Sequence, residues 1–408
     1  MDWAPQQVEA IEAVRRWRER RDRQVFRLFG YAGTGKTTIA IELAEPGTLF
    51  AAFTGKAAYV MRSKGCHDAK TIHQSIYKPV EKSTEKLQKL EAQLARFLEL
   101  PDAPENRQAV ARVRADIKRE EDAHRSPSFV LNEDGPASEA SLIIIDEVSM
   151  VDRRMGEDLL SFEKPILVLG DRAQLPPVGG GGFFTKGRPD VELTEIHRQA
   201  AESPVLQIAT AIRQGRRLEA GSYGDSRICR VRDIPIEEID AADQVIVGTN
   251  KSRKRFNAKA RVRRGIDCPI PVEGDRLICL KNNHEVGLLN GAQFVVRSCE
   301  SLGRDLLDLK LVDVDTGLEQ ATIAHAHYFQ EPSDPKSREL DRSKELKPWE
   351  YGEADHFDFA YAVTCHKAQG SQWDRVLVRD ESGVFRQDAR AWKYTAVTRA
   401  AEQVTIAT

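Results

Sequence analysis

Gly30-Tyr31-Ala32-Gly33-Thr34-Gly35-Lys36-Thr37, preceded by the apolar run Val25 to Phe29, is the stretch that decides the fold. Its order is strand, glycine-rich loop, lysine, hydroxyl and helix, which is the order of a phosphate-binding loop. Glycines let backbone N–H groups turn inward and come close to phosphate oxygens, and the following helix presents its positive end there. Lys36 is then placed to reach the β- and γ-phosphates, and the Thr37 hydroxyl to ligate magnesium. The stretch predicts a nucleoside-triphosphate site inside an α/β fold.

Upstream, Ala4 to Arg20 reads as a helix, with Val8, Ile11, Val14 and Trp17 at helical spacing. Gln7 lies in its first turn. A glutamine has the donor and acceptor that adenine's edge requires, although a solvent-facing glutamine is the plainer reading. Downstream, Thr48 to Phe53 is a second strand that leads into Thr54-Gly55-Lys56-Ala57-Ala58, followed by Thr71-Ile72-His73. Short apolar strands alternating with helices predict a parallel sheet covered on both faces.

Leu142-Ile143-Ile144-Ile145-Asp146-Glu147 is a buried strand with an acidic pair at its carboxyl end, where α/β sheets bind ligands. Asp146 is placed to hold magnesium and Glu147 to orient or deprotonate the attacking water. Adjacent strand residues point to opposite sides, so the two carboxylates are expected to act separately. A further strand, Ile166 to Leu169, runs into Gly170-Asp171-Arg172-Ala173-Gln174-Leu175-Pro176-Pro177-Val178. Gln174 there can meet a γ-phosphate or its water.

With 408 residues the chain suggests two domains, and its 41% apolar content suffices for proper cores. No stretch is apolar enough to cross a membrane, and Met1-Asp2-Trp3-Ala4-Pro5 lacks the pattern of a signal peptide. Six scattered cysteines offer no zinc or disulfide framework, so a cytoplasmic location and no structural metal are expected. The net charge of -2 neither signals nor excludes a polynucleotide partner.

Glu81 to His124 reads as an antiparallel helical hairpin, with Leu87, Leu90, Leu94, Phe97 and Leu98 facing Val110, Val113 and Ile117 across the break Pro101-Asp102-Ala103-Pro104. Ser128 to Ser141 reads as a short β-hairpin around Asp134-Gly135. In the second half, the strand Val245 to Gly248 precedes a basic helix running through Arg264. That helix is either a solvated face or a phosphate contact. Asp275 to Phe329 shows closely spaced strands broken at turns, the pattern of a small β-barrel, and Gln330 to Glu353 a polar irregular loop. The parallel pattern is expected to resume at Phe359 to Val363. Thr364 to Ser371 follows, then a strand, then a helix that carries Tyr394 to Arg399.

Taken in order, these motifs resemble superfamily 1 helicases of the RecD and Dda branch, over nearly the whole chain. The resemblance implies two RecA-like P-loop domains clasping ATP and Mg2+, with single-stranded DNA crossing both. It implies an ATP hydrolase that moves 5′ to 3′ and opens single-strand/duplex junctions. Gln7 looks like the adenine reader, and Lys36, Thr37, Asp146 and Glu147 like the phosphate, metal and catalytic residues. Gly33, Thr34, Gly35, Thr38 and Gly370 complete that nucleotide set. Gln174 looks like the γ-phosphate sensor, and Arg198 and Arg399 like arginine fingers. Thr54, Lys56, Thr71, His73, Asn250, Thr364, His366 and Lys367 match positions in DNA-contacting motifs.

The implied domains are 1–77 with 142–197, then 198–269 with 358–408. Residues 78–141 form the helical and pin insertion, and 270–357 an SH3-like barrel insertion. A monomeric motor is expected, with 81–124 serving as a partner-binding arm, a brace or an inert elaboration. A translocase without unwinding and an ATP-gated clamp stay open as alternatives. RNA also stays open as the track, since the motif set contains no 2′-hydroxyl reader.

Overall fold

The computed structural model describes residues 3–79, 85–99, 106–107, 109–114, 116–117, 129–176, 182–195, 202–281, 283, 288–303, 305–329 and 354–408. Two six-stranded sheets form its framework. In the first, the order is Lys70–Thr71, Thr48–Ala52, Leu142–Asp146, Ile166–Gly170, Val25–Gly30 and Val191–Leu193, all parallel. In the second, Ala362–Thr364, Gln244–Val247, Trp373–Arg379, Ala400–Ala407 and Ser226–Cys229 run parallel, and Gly221–Tyr223 closes one edge antiparallel. This is the α/β class expected for paired RecA-like P-loop sheets.

Continuous apolar strands make these sheets buried on both faces. Ile143, Ile144, Ile145, Ile166, Leu167, Val168 and Leu169 are fully buried. The first helix, Pro5–Arg20, packs Ala10, Ile11, Val14 and Trp17 onto the first sheet, with Trp17 5.3 Å from Phe26. Val8, expected on that face, is 40% exposed, and Gln7 is buried in the neighbouring position instead. The physical reason lies in the loop that follows the first strand, because Gln7 hydrogen-bonds into it.

A third sheet is antiparallel, ordered Glu319–His325, Leu306–Asp313, Gln293–Gly303, Arg276–Cys279 and Phe357–Phe359. A bridge between Ala324 and Asp355 ties its two ends together. The parallel pattern therefore resumes at Ala362, later than expected. Phe357–Phe359 pairs antiparallel with Arg276–Cys279, because Phe357 and Phe359 bury into the same core as Phe294.

The basic helix Asn250–Arg263 takes two of its cations inside and leaves others in solvent. Arg253 and Arg261 are buried, and Arg253 meets Asp358 at 2.6 Å. Arg261 binds Asp275 at 3.0 Å and the Ile270 carbonyl at 2.8 Å, with its guanidinium 4.2 Å from the Phe359 ring. Asp275 also accepts from the Tyr361 hydroxyl at 2.7 Å and the Val272 N–H at 2.8 Å. Removing one partner of a buried ion pair strands the other charge, which costs about 3–5 kcal/mol. Asp275→Ala is expected to destabilise the chain by about that much, read as a lowered urea midpoint at unchanged slope. Lys251, Lys254, Arg255 and Lys259 remain the exposed cations of this helix.

The chain divides into two compact units, and the described part of Tyr77–Asn132 belongs to the smaller one. Within that unit, the helix Glu85–Leu98 brings Leu90, Leu94 and Phe97 against Val113 and Ile117, while Leu98 is 57% exposed. Leu87, the Pro101–Pro104 break and the Gln330–Glu353 loop lie outside the described residues or side chains. The expected hairpin around Asp134-Gly135 does not form. Phe129–Leu131 instead pairs antiparallel with Tyr77–Pro79, and Pro136–Glu139 is a helical turn. Pro136 has no N–H for a ladder and carries a preset φ suited to the first helical position, so it starts a helix rather than a returning strand.

Candidate nucleotide site and polynucleotide-facing loops

The site is built where the strands of the first sheet end. After Val25–Gly30 the chain turns through Gly33 and Gly35, with φ of 79° and 85°, which glycine adopts without a steric penalty. Gly35 caps the helix Lys36–Glu42. Lys36 Nζ donates to the carbonyls of Gly30 at 2.8 Å and Tyr31 at 3.0 Å, which holds the ammonium over its own loop. Gln7 Nε2 donates to the Thr34 carbonyl at 3.0 Å, and Gln7 Oε1 accepts from Ala4 N–H at 3.1 Å. Its amide thus braces the loop in this conformation.

Thr37 Oγ1 donates to Asp146 Oδ2 at 3.1 Å, and Asp146 Oδ1 accepts from the Glu147 N–H at 2.8 Å. The two acidic residues separate differently from the strand alternation expected for them. Asp146 ends the strand, whereas Glu147 has φ 54° and has already left it. A left-handed non-glycine residue at a ligand-binding edge is uncommon and costly, and it takes Glu147 off the strand that Asp146 ends. Burial pushes the Glu147 carboxyl above the usual carboxylate range, and nearby Arg399 opposes that shift.

Arg399 follows the helix Ala389–Val397 of the second sheet and is buried. Its Nε donates to Thr395 O at 3.1 Å and its Nη1 to Ser371 O at 3.3 Å, with Nη1 4.0 Å from Glu147 Oε1. A cavity of about 440 Å³ brings together Gly33, Gly35, Lys36, Thr37, Thr38, Asp146, Glu147, Gln174, Gly370 and Arg399. Thr34 is buried beneath the loop, and Gln7 does not line the cavity. Arg198 lies outside the described residues.

The two sheets are also cross-linked beside this cavity. Tyr394 OH donates to Asp171 at 2.6 Å and accepts from Ala32 N–H at 3.1 Å. Leu175 N–H donates to Thr395 Oγ1 at 2.7 Å, Gln369 Nε2 donates to Leu175 O at 2.8 Å, and Arg213 lies 3.5 Å over the Tyr31 ring. At Gly370 a Cβ would stand 2.8 Å from Thr54 Oγ1 and 2.9 Å from Ala57 Cβ, so the backbone needs glycine at this close approach.

The residues matched to DNA-contacting motifs sit on a second tier. Thr54, Lys56, Thr71 and His73 follow or end the two outermost strands at one edge of the first sheet. Asn250, Thr364, His366 and Lys367 do the same at one edge of the second. Thr54 caps the helix Gly55–Ser63, accepting from Ala57 N–H at 3.1 Å. Lys56 forms an ion pair with Asp315, on the turn after Leu306–Asp313. Thr71 and Thr364 are buried, and Asn250 Oδ1 accepts from Arg253 at 3.2 Å. Burial lowers the pKa of His73, of His366 and of Lys367, and Arg253 adds to the effect at Lys367.

The family model described as an AAA domain matches residues 3–232, more than half of the chain. The chain belongs to that family. A second model, the UvrD-like helicase C-terminal domain, matches residues 359–407. Both models and the relatives below agree with the resemblance to superfamily 1 helicases of the RecD and Dda branch. It is 27% identical over 294 residues to the ATP-dependent RecD2 DNA helicase of Deinococcus radiodurans, covering 64% of this chain and 35% of that one. It is 30% identical over 205 residues to the ATP-dependent DNA helicase dda of Enterobacteria phage T4, covering 46% and 37%. The chain thus spans well under half the length of these two relatives. Bacteroides Pif1 bound to ssDNA shares the fold, with a TM-score of 0.51 at 16% identity over 99% of this chain and 92% of that one.

Sequence reasoning about this AAA-domain chain missed Lys64, Gln372 and Thr398, which line the cavity, and the cross-linking roles of Tyr394, Thr395 and Arg213. Lys64 ends a helix that begins at Gly55, so helical spacing alone could have raised it. The cross-linking residues carry no local signal, because their partners lie far away in sequence. Among the described residues no helix is long and apolar enough to cross a membrane.

Proposed function

We propose that this chain is an ATP hydrolase that drives itself 5′ to 3′ along single-stranded DNA and opens duplex at junctions. One observation carries the reading. Lys36, from the first sheet, and Arg399, from the second, line the same cavity, with Glu147 beside the arginine. A site shared by two sheets converts nucleotide contacts into relative movement when those contacts are made and released.

The donor set fits the expected metal, since Thr37 hydroxyl and Asp146 carboxylate are hard oxygens and magnesium takes oxygen ligands while retaining waters. When bound, the ion neutralises charge on the β- and γ-phosphate oxygens. Lys36 and the loop N–H groups hold the same phosphates, Gln174 senses the terminal one, and Arg399 meets it from the other side, with Arg198 as the second finger that the resemblance implies. Glu147, whose carboxyl burial pushes up and Arg399 holds down, accepts the proton of the attacking water. Gln7 would release part of its bracing to read the base.

The domain division that goes with this reading is 1–77 with 142–197 against 198–269 with 358–408, with the barrel at 270–357 as an SH3-like insertion. Each half would grip the DNA backbone alternately, through Thr54, Lys56, Thr71 and His73 on one and Asn250, Thr364, His366 and Lys367 on the other. Duplex stacking of about 1.4 kcal/mol per step is within reach of such a cycle. The motor works as a cytoplasmic monomer, and the helices of 81–124 elaborate it.

A strand-displacement assay with 5′- and 3′-tailed duplexes tests the proposal. Unwinding of the 5′-tailed substrate and ATP turnover stimulated by single-stranded DNA are expected. A preference for 3′ tails overturns the polarity, and turnover indifferent to DNA and RNA overturns the motor. DNA-stimulated turnover without strand displacement would mean a translocase.

A further inference from the structure

We propose that the antiparallel sheet carries a binding site for a divalent transition-metal ion of the zinc class, held by Asp305, His325 and His327. The ligand atoms of these three residues lie within 4.8 Å of one another, and His327 Nδ1 stands 2.8 Å from Asp305 Oδ2. The site is remote in chemistry from the nucleotide cavity and independent of the function proposed above.

Backbone register builds it. Leu306–Asp313 pairs with Glu319–His325 so that Leu306 lies opposite His325. One residue beyond the pair, the Ala326 N–H donates to the Asp305 carbonyl at 2.9 Å, which seats Asp305 between His325 and His327. Asp305 has φ 65°, a left-handed conformation that aspartate tolerates better than most residues, at the turn between Gln293–Gly303 and Leu306–Asp313. On its other side, His325 N–H donates to Asp355 O at 3.1 Å, so the strand end is held from two directions.

The rings are packed as well. His327 lies 4.1 Å from Tyr328 and Tyr328 4.5 Å from His356, centroid to centroid, while His325 is 5.1 Å from His327 and 5.6 Å from His356. Three of the nine histidines of the chain thus share one small surface. Two imidazoles and one carboxylate suit zinc, cobalt or nickel rather than magnesium or calcium, which prefer oxygen alone. Ligand bonds of about 2.0–2.2 Å require the three atoms to draw slightly closer. The half-exposed His327 side chain has room for that rotation. Three protein ligands leave a coordination position open for water or an incoming group. The bound ion would staple the turn at Asp305 to the end of Glu319–His325.

The test uses the full chain without a polyhistidine tag, stripped with chelator and titrated with Co2+ while visible absorption is recorded. One equivalent of Co2+ is expected to give a d–d band that Zn2+ displaces. His325→Ala/His327→Ala should abolish the band, and Asp305→Asn should weaken binding by at least the ~10-fold typical of losing even an outer-shell partner. Far-UV circular dichroism checks folding of the double variant, and His327→Gln serves as the milder substitution if it does not fold. No band in the wild type, or a band unchanged in the variants, would overturn the proposal. So would near-ultraviolet thiolate absorption, which would assign the metal to the free cysteines.

Discussion

Arg399→Ala is expected to lower DNA-stimulated ATP turnover by about three to five orders of magnitude, the range measured for loss of an arginine finger. The guanidinium has a buried seat, with Thr395 O, Thr398 Oγ1 and Ser371 O accepting three of its N–H groups. These bonds aim it at the cavity and hold its charge 4.0 Å from Glu147 without waiting for substrate. Preorganised charge of this kind acts on the transition state more than on the bound ground state. Nucleotide affinity, read with a fluorescent analogue, should therefore change far less than turnover. Arg399→Lys separates charge from geometry, because lysine keeps the charge but loses the planar fork that three acceptors require. Turnover within a few-fold of wild type in both variants would remove Arg399 from the chemistry.

Lys36→Ala should abolish unwinding and cut turnover by about 10²–10³-fold or more, as losing a preorganised donor to developing charge does. The ammonium is already gathered over the loop by the carbonyls of Gly30 and Tyr31. Phosphate oxygens would replace those weak neutral acceptors with charged ones, and charge-assisted hydrogen bonds are roughly twice as strong. Unlike Arg399, Lys36 is expected to matter for binding too, so nucleotide affinity should fall along with rate. The contrast between the two variants is the informative readout: one loses mainly turnover, the other both. Equal loss of affinity in the two would mean that the residues serve binding alike.

The nucleotide loop, the acidic pair and the apolar strands were legible because each is encoded within a few residues. Glycines at 33 and 35 set a backbone turn, and runs such as Ile143–Ile145 can only be buried. The hairpin around Asp134-Gly135 misled because a turn signal says nothing about where the partner strand comes from. Phe129–Leu131 found it at Tyr77–Pro79. The basic helix misled in the opposite way. A run of arginines looks solvated until Asp275 and Asp358, supplied from elsewhere in the chain, take two of them inside.

By itself, then, the sequence determined the α/β class, the glycine-rich loop, the order of the strands and the acidic pair at the end of one of them. Only the tertiary structure decided that Arg399 stands over Glu147, that Tyr394 bridges Asp171 and Ala32, and that Gln7 braces the loop. Local patterns fix φ, ψ and burial, which depend on neighbours along the chain. Contacts across more than 200 residues, such as Leu175 to Thr395, depend on how whole sheets pack, and no short window of sequence carries that information.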